Sequence, residues 1–425
     1  NGVLAGLITL SGDAQIDPNA GTWPNTCTFS GGFAGTGNLT IGGSSNVVAG
    51  VATFAGNCTF GGDAIVDATA NAGGGSGILI ASGKSDIMNN GGNLVLIGGA
   101  SEQATFDLNG TTQVLNGLVN TNGAAANAIV KSSSGDGILV VGNSDASSSF
   151  DGVIQNGGGM LALTKIGAGI LTLPGNNTFT GDTTVSNGTL ALSGSGSISN
   201  TTTIIIAAGV TLDASERLDQ TLTLNNGQTL LGDGLVNVNL TVGTGATIMS
   251  GNSTSLGTLT VGSAAQLQGT TILKLNATTG TSDQINASSF IFGGALIVTN
   301  LSGAFTAYQS FPLFLGDAYS GSFNAITLPS LGSGLAWDTN SLMTNGVLQV
   351  VATTIPQPHI TGIKLSGTSL IMQGTNGVNG ETYVLLNSTN LTLPLNQWTP
   401  LLTNKFNSGS FSVTNTVNPN IPQNY

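Results

Sequence analysis

Lys165-Ile166-Gly167-Ala168-Gly169-Ile170-Leu171-Thr172-Leu173, then Asn176-Asn177-Thr178-Phe179-Thr180-Gly181-Asp182-Thr183-Thr184-Val185, then Asn187-Gly188-Thr189-Leu190: this run decides how the chain folds. Short apolar-alternating segments stand between clusters of Gly, Asn and Ser, and helical periodicity is nearly absent. Asn187-Gly188 supplies a turn that needs positive φ. The same phrasing returns outward from it, as Gly92-Asn93-Leu94-Val95-Leu96-Ile97-Gly98, Thr221-Leu222-Thr223-Leu224-Asn225-Asn226-Gly227 and Gly257-Thr258-Leu259-Thr260-Val261-Gly262. Between Val236 and Val242, Val236, Val238, Leu240 and Val242 alternate with Asn237, Asn239 and Thr241. Alternation with period two marks strands with one buried and one solvated face. One supersecondary unit repeated every roughly 20–30 residues is the signature of a solenoid.

Composition agrees. Charged residues are 6% of the 425 positions, against about 25% in typical domains. Hydrophobic residues nevertheless reach 40%, so the chain can bury a core and is not a disordered polar tract. Thr, Ser and Asn must then supply the outer polarity. With 65 glycines, this is the composition of many short strands joined by tight turns. The net charge of −12 reflects only seven Lys and Arg, too few to track a phosphate backbone, so nucleic acid is not an expected partner. No apolar run is long enough for a membrane-spanning helix. With no initiator Met and no basic, apolar leader, Asn1 reads as a processed end.

The 165–190 run resembles the autotransporter-associated β-strand repeat of large passenger proteins of Gram-negative bacteria, with Phe179 where that repeat usually has Tyr. Leu222 to Ala246 is also similar to that family, and so is Ser250-Gly251-Asn252-Ser253 followed by Leu256-Gly257-Thr258-Leu259-Thr260-Val261, with Ser250 in place of Pro; residues 1–160 match only in style. The resemblance implies a right-handed parallel β-helix on the cell exterior and no particular reaction.

Independently of it, coils with one apolar face cannot bury that face alone and must stack. About 12 coils at ~4.8 Å each give a rod roughly 60 Å long. The expected organisation is β-solenoid repeats over 1–270, a β-rich cap over 271–352, where Phe, Tyr and Trp concentrate, and a Pro linker over 353–359. A small β-sandwich module follows over 360–425. The phrase from Tyr383 to Leu391 and then Trp398-Thr399-Pro400 resembles a C-terminal module of secreted bacterial proteins. The expected fold class is therefore all-β.

Cys27 and Cys58 sit in matching phrases, Cys27-Thr28-Phe29 and Cys58-Thr59-Phe60. If their spacing is one coil plus a loop, they stack on neighbouring rungs at a disulfide-compatible separation; two buried free thiols are the alternative. A metal or cofactor is not expected from two Cys and one His. His359, the sole histidine, lies in the Pro linker, where it cannot be held as a catalytic base. The densest charged group is Asp213, Glu216, Arg217 and Asp219, on one stretch, better read as a solvated turn than as an acid–base pair. Asp136, Asp145 and Asp151 lack the regular Gly-Gly-x-Gly-x-Asp spacing of calcium-binding solenoids, and Gly73-Gly74-Gly75-Ser76-Gly77 has the glycines without the Asp. Gly77 to Ser85 has five residues between glycines where a phosphate loop has four.

These features point to an extracellular structural protein with no catalytic residues, a rigid rod that self-associates into filaments or an adhesive layer. Its N-terminal apolar strand, with Val3, Leu4, Leu7, Ile8 and Leu10, is the candidate for head-to-tail contact by strand addition. The rival is a carbohydrate-binding or carbohydrate-cleaving β-helix, for which surface glycans would be partners and Trp337 and Trp398 the binding candidates.

Overall fold

The computed structural model of the chain describes residues 2–17, 25–42, 50–69, 77–82, 84–86, 91–121, 124–353 and 357–417. Among the described residues strands form 54% and helix 3%, so the fold is all-β. Two compact units divide it: one takes residues 1–331 and 337–350, the other 332–336 and 351–425.

The larger unit is a parallel β-solenoid of about 12 turns. Its strands lie on three faces, and most turns contribute one strand to each. The first face runs as a seven-stranded sheet from Gly2–Leu4 to Val153–Ile154 and resumes as a five-stranded sheet from Thr221–Leu224 to Ala318–Gly321. The second begins with Ile8–Ser11, Phe33–Thr36 and Cys58–Phe60, followed by an eleven-stranded sheet that opens at Thr112–Leu115 and reaches Ala325–Thr327. The third runs from Ala14–Ile16 to Leu118–Asn120, then from Ser148–Ser149 to Phe314–Leu315. Parallel pairing thus continues well past residue 270. It gives way to an antiparallel pair, Ser310–Pro312 with Val347–Gln349, and a short helix, Leu342–Asn345.

Register makes the core. On the first face Cys27 pairs with Ala52, Ala52 with Leu79, Leu79 with Phe106, Phe106 with Val130 and Val130 with Ile154. On the second, Ile204, Leu230 and Ile248 stack in consecutive turns, each no more than 1% exposed. The residues beside them, Thr203, Thr229, Thr247 and Thr270, form a matching ladder on the outer side. Parallel strands allow only this arrangement: like positions lie directly above one another, so a repeated Thr-Leu or Thr-Ile dipeptide becomes two columns, one dry and one wet.

Corners obey the same repetition. Asn38 N–H donates to Asp13 Oδ1 (2.9 Å), Asp63 N–H to Asn38 Oδ1 (2.8 Å) and Asn93 N–H to Asp63 Oδ1 (2.7 Å). A glycine precedes each of these residues, and at Gly37, Gly62 and Gly92 the turns nearly touch. A Cβ on Gly62 would sit 2.2 Å from the Gly37 carbonyl oxygen, and Gly37 itself has φ +100°.

The aromatics of the last turns pack as Phe290, Phe292, Phe314, Tyr319 and Phe323, with ring centroids 4.9–6.2 Å apart. The smaller unit holds a three-stranded antiparallel sheet (His359–Ser366, Ser369–Thr375, Phe411–Thr416) and a two-stranded one (Thr382–Asn387, Thr399–Lys405). Tyr383, Phe406 and Phe411 pack together between them. His359 opens a strand rather than lying in a linker; of the expected linker, 354–356 fall outside the described residues.

Replacing Leu230 by Ala should cost about 2–5 kcal/mol, because the stacked neighbours above and below cannot close the cavity. Thr229→Ala, one residue away on the wet column, should stay within about 0.5 kcal/mol. Denaturant unfolding of the two variants distinguishes them; equal losses would mean that the columns are not partitioned as described.

Candidate functional site

The charged stretch at 213–219 lies where two strands slip. Thr189–Gly194 pairs with Thr211–Arg217, and the register shifts between Ala191 and Ser193, so that Ser193 faces Glu216 and Gly194 faces Arg217. This bulge adds a residue and re-aims the following side chains. Arg217 then grips Asp219 with two parallel bonds, Nε to Oδ1 and Nη2 to Oδ2, each 2.9 Å, while its Nη1 donates to the Gly196 carbonyl. The bond from Arg217 holds the Asp219 carboxyl below the usual carboxylate range. Asp213 engages elsewhere, accepting from Ser215 N–H (2.9 Å) and Asn237 Nδ2 (3.2 Å). Asp213 and Asp219 are thus tied to separate partners and Glu216 is exposed, an arrangement unlike two carboxyls flanking a reacting bond.

Two lysines are buried in the solenoid. Lys274 Nζ lies 2.5 Å from Asp283 Oδ2 and 2.8 Å from the Ser250 carbonyl oxygen. The Lys274 backbone N–H also donates to Asp283 Oδ2 (2.7 Å), and Gly257 N–H to Oδ1 (2.8 Å). Burial pushes the Asp283 carboxyl up, against the opposing pull of Lys274. Lys165, fully buried, caps three carbonyl oxygens: Ile166 (2.5 Å), Gly167 (2.8 Å) and, on the next turn, Asn187 (3.4 Å). Its amine is shifted down by burial, with the Asp145 charge opposing. Both lysines fasten one turn to another. Nothing in the local sequence around Lys165 announces its burial.

The two cysteines are free thiols, which corrects the expected disulfide. Cys27 lies on the first face, paired with Gly2 and Ala52. Cys58 lies on the second face, paired with Phe33. Neighbouring turns here are offset by 25 residues, so the longer Cys27–Cys58 spacing carries the second copy of the phrase past a corner. Burial pushes the Cys58 thiol up to about 12.

In the first turn Val3 (70%), Leu4 (50%) and Leu7 (62%) are exposed, Ile8 is half-buried and Leu10 is buried. The strands that carry Val3, Leu4, Ile8 and Leu10 each end their sheet. Asp136 and Asp145 accept backbone N–H bonds from the following turn, at Met160 (2.8 Å) and Ala168 (2.6 Å). Asp151 donates its N–H to Asn120 Oδ1 (2.9 Å). Among the described residues no three Asp, Glu, His or Cys gather as metal ligands. Residues 73–76 and 83 lie outside the described residues. Trp337 packs on Phe305 and Phe311 and donates Nε1–H to the Pro329 carbonyl (2.8 Å). Trp398 donates Nε1–H to the Leu393 carbonyl (2.9 Å). Both indoles are half-buried, and the Trp337 ring serves packing. No helix among the described residues is long and apolar enough to cross a membrane.

Stacked parallel turns around a Lys-x-Gly-x-Gly repeat are the architecture of passenger-type β-helices, and two comparisons support that reading and a secreted, cell-surface location. Residues 163–192 match the family model described as Passenger-associated-transport-repeat. Over 83 residues the chain is 36% identical to the adhesin BmaC autotransporter of Brucella suis; the match takes in 19% of this chain and 2% of that protein.

Two outcomes follow from the buried groups. Asp283→Asn strands the Lys274 charge and should cost about 3–5 kcal/mol, whereas Lys274→Met with Asp283→Leu should cost clearly less; equal losses would show that the pair is not the unit. Iodoacetamide at pH 8 should label Cys27 in the folded protein and Cys58 only after unfolding, since a buried thiol shifted so far carries almost no thiolate. A mobility change between reduced and non-reduced gels would restore the disulfide.

Proposed function

We propose that this chain is a length of adhesive rod displayed on the cell surface, acting by its shape and its outer ladders rather than by catalysis. The observation that carries the proposal is the run of about 12 stacked turns whose outward columns are built of Thr, Asn and aliphatic side chains. Such a rod repeats one weak contact many times along its length, and repeated weak contacts gain avidity with no new chemistry. The adhesin named above supports this role. A polysaccharide-cleaving β-helix would need acids from neighbouring turns facing one another, and Asp213 and Asp219 are each engaged with other partners.

The first turn extends the proposal to self-association. Its strands offer open backbone edges beside Val3, Leu4 and Leu7, and an open edge accepts another strand. A second copy docking there head to tail propagates into a filament. Electron microscopy and sedimentation of the purified 425-residue chain should show end-to-end assemblies that Val3→Asp with Leu7→Asp disperses. Uniformly single rods would leave that edge to further turns of a longer polypeptide and overturn self-association. Beads coated with the chain should adhere to cells or matrix; failure to adhere would overturn the adhesive role.

A further inference from the structure

Arg217 is the single arginine in the sequence, and it stands beside a cavity of about 250 Å³. The cavity exists because the first face is interrupted. After Val153–Ile154 the ladder lapses for two turns, in which Thr178 N–H still reaches the Ile154 carbonyl (2.9 Å) and a lone bridge joins Asn176 to Ser197. The sheet resumes only at Thr221–Leu224. Where strands are missing the wall is dented. The buried lining of the dent is mostly aliphatic, with Ile198 and Leu222 at 3% and 5% exposure, and includes Gln228, whose amide is already bonded to the Ile198 and Thr201 carbonyls and to the Asn225 N–H. Its exposed lining is polar, with Thr223, Asn225 and Asp219 beside Arg217.

The chemistry of this lining selects its ligand. Arg217 and Asp219 already neutralise each other through two bonds, so neither an anion nor a cation finds an unpaired countercharge. What remains are the guanidinium's other N–H donors and the spare lone pairs of the carboxylate, side by side. Adjacent hydroxyl groups, each both donor and acceptor, match that pairing, and the C–H face of a sugar ring matches Ile198 and Leu222. The low carboxyl pKa keeps Asp219 an acceptor well into acid. Drug-sized ligand sites span roughly 300–1,000 Å³, so this smaller space suits one ring rather than a length of polymer.

We infer that the cavity between Ser197–Ser199 and Leu222–Asn225, rimmed by Arg217 and Asp219, binds a single neutral sugar residue of a glycan. This rests on the adhesive reading and names what the rod would hold. The test is made in solution on the purified chain, so loss of sugar binding and loss of bead adhesion are separate results. Saturation-transfer NMR and calorimetric titration would use methyl glycosides of neutral hexoses and N-acetylhexosamines, with methyl glucuronide as the anionic comparison. At least one neutral glycoside should bind with a Kd of ~1 mM. Asp219→Asn and Arg217→Lys should each weaken it about tenfold or more, with unchanged melting curves. Leu218→Ala, at a side chain 88% exposed and outside the lining, should leave binding intact. The inference is overturned if no neutral glycoside binds, if methyl glucuronide binds best, or if binding survives both substitutions at the ion pair.

Discussion

Every part of the solenoid depends on one constraint: each strand must find its backbone partners in the strand one turn later, in parallel and in register. An unpaired N–H or carbonyl buried between turns would cost roughly as much as several aliphatic contacts gain. Parallel pairing meets this need for whole columns at once, and it also stacks like side chains. The Ile204, Leu230 and Ile248 column and the Thr203, Thr229 and Thr247 column are therefore one event seen from the two sides of a sheet.

The same constraint governs the scarce polar residues. At corners, where strands end and backbone groups lose their partners, Asp13, Asn38 and Asp63 each accept a bond from the next turn. Lys165 gathers carbonyls at another corner, and Lys274 with Asp283 ties Ser250 and Gly257 to a later strand. A chain with 6% charged residues has spent several of them holding turns together. The charges left on the outside are few and mostly acidic, a sparse surface that suits broad contact by shape and hydroxyl groups more than electrostatic steering. Where the ladder breaks, beside the bulge at Ala191 and Ser193, the smooth wall acquires a cavity and the only guanidinium.

Much of this was legible in the order of residues. The alternation from Val236 to Val242 marks inward positions correctly: all four of its aliphatic residues are buried. Yet the chain crosses a corner at Val238, between Leu235–Asn237 on the third face and Asn239–Val242 on the first. Inside and outside continue to alternate around a corner, so periodicity cannot mark it. The matching phrases around Cys27 and Cys58 misled for the same reason, since likeness of phrase does not say which face a strand joins. Of the candidate site, the cluster from Asp213 to Asp219 was visible as the densest group of charges, but the bond from Arg217 to Gly196 and the dent beside it were not.

Sequence alone determined what each residue prefers locally: strands from alternation, turns from Gly and Asn, a solenoid from repetition, and a passenger-type repeat at 165–190. Tertiary structure decided which turn meets which. The pairing of Lys274 with Asp283, the separation of the two cysteines and the break in the first face all follow from the number of residues each loop inserts between strands. That number sets register over a whole turn, and no local preference encodes it.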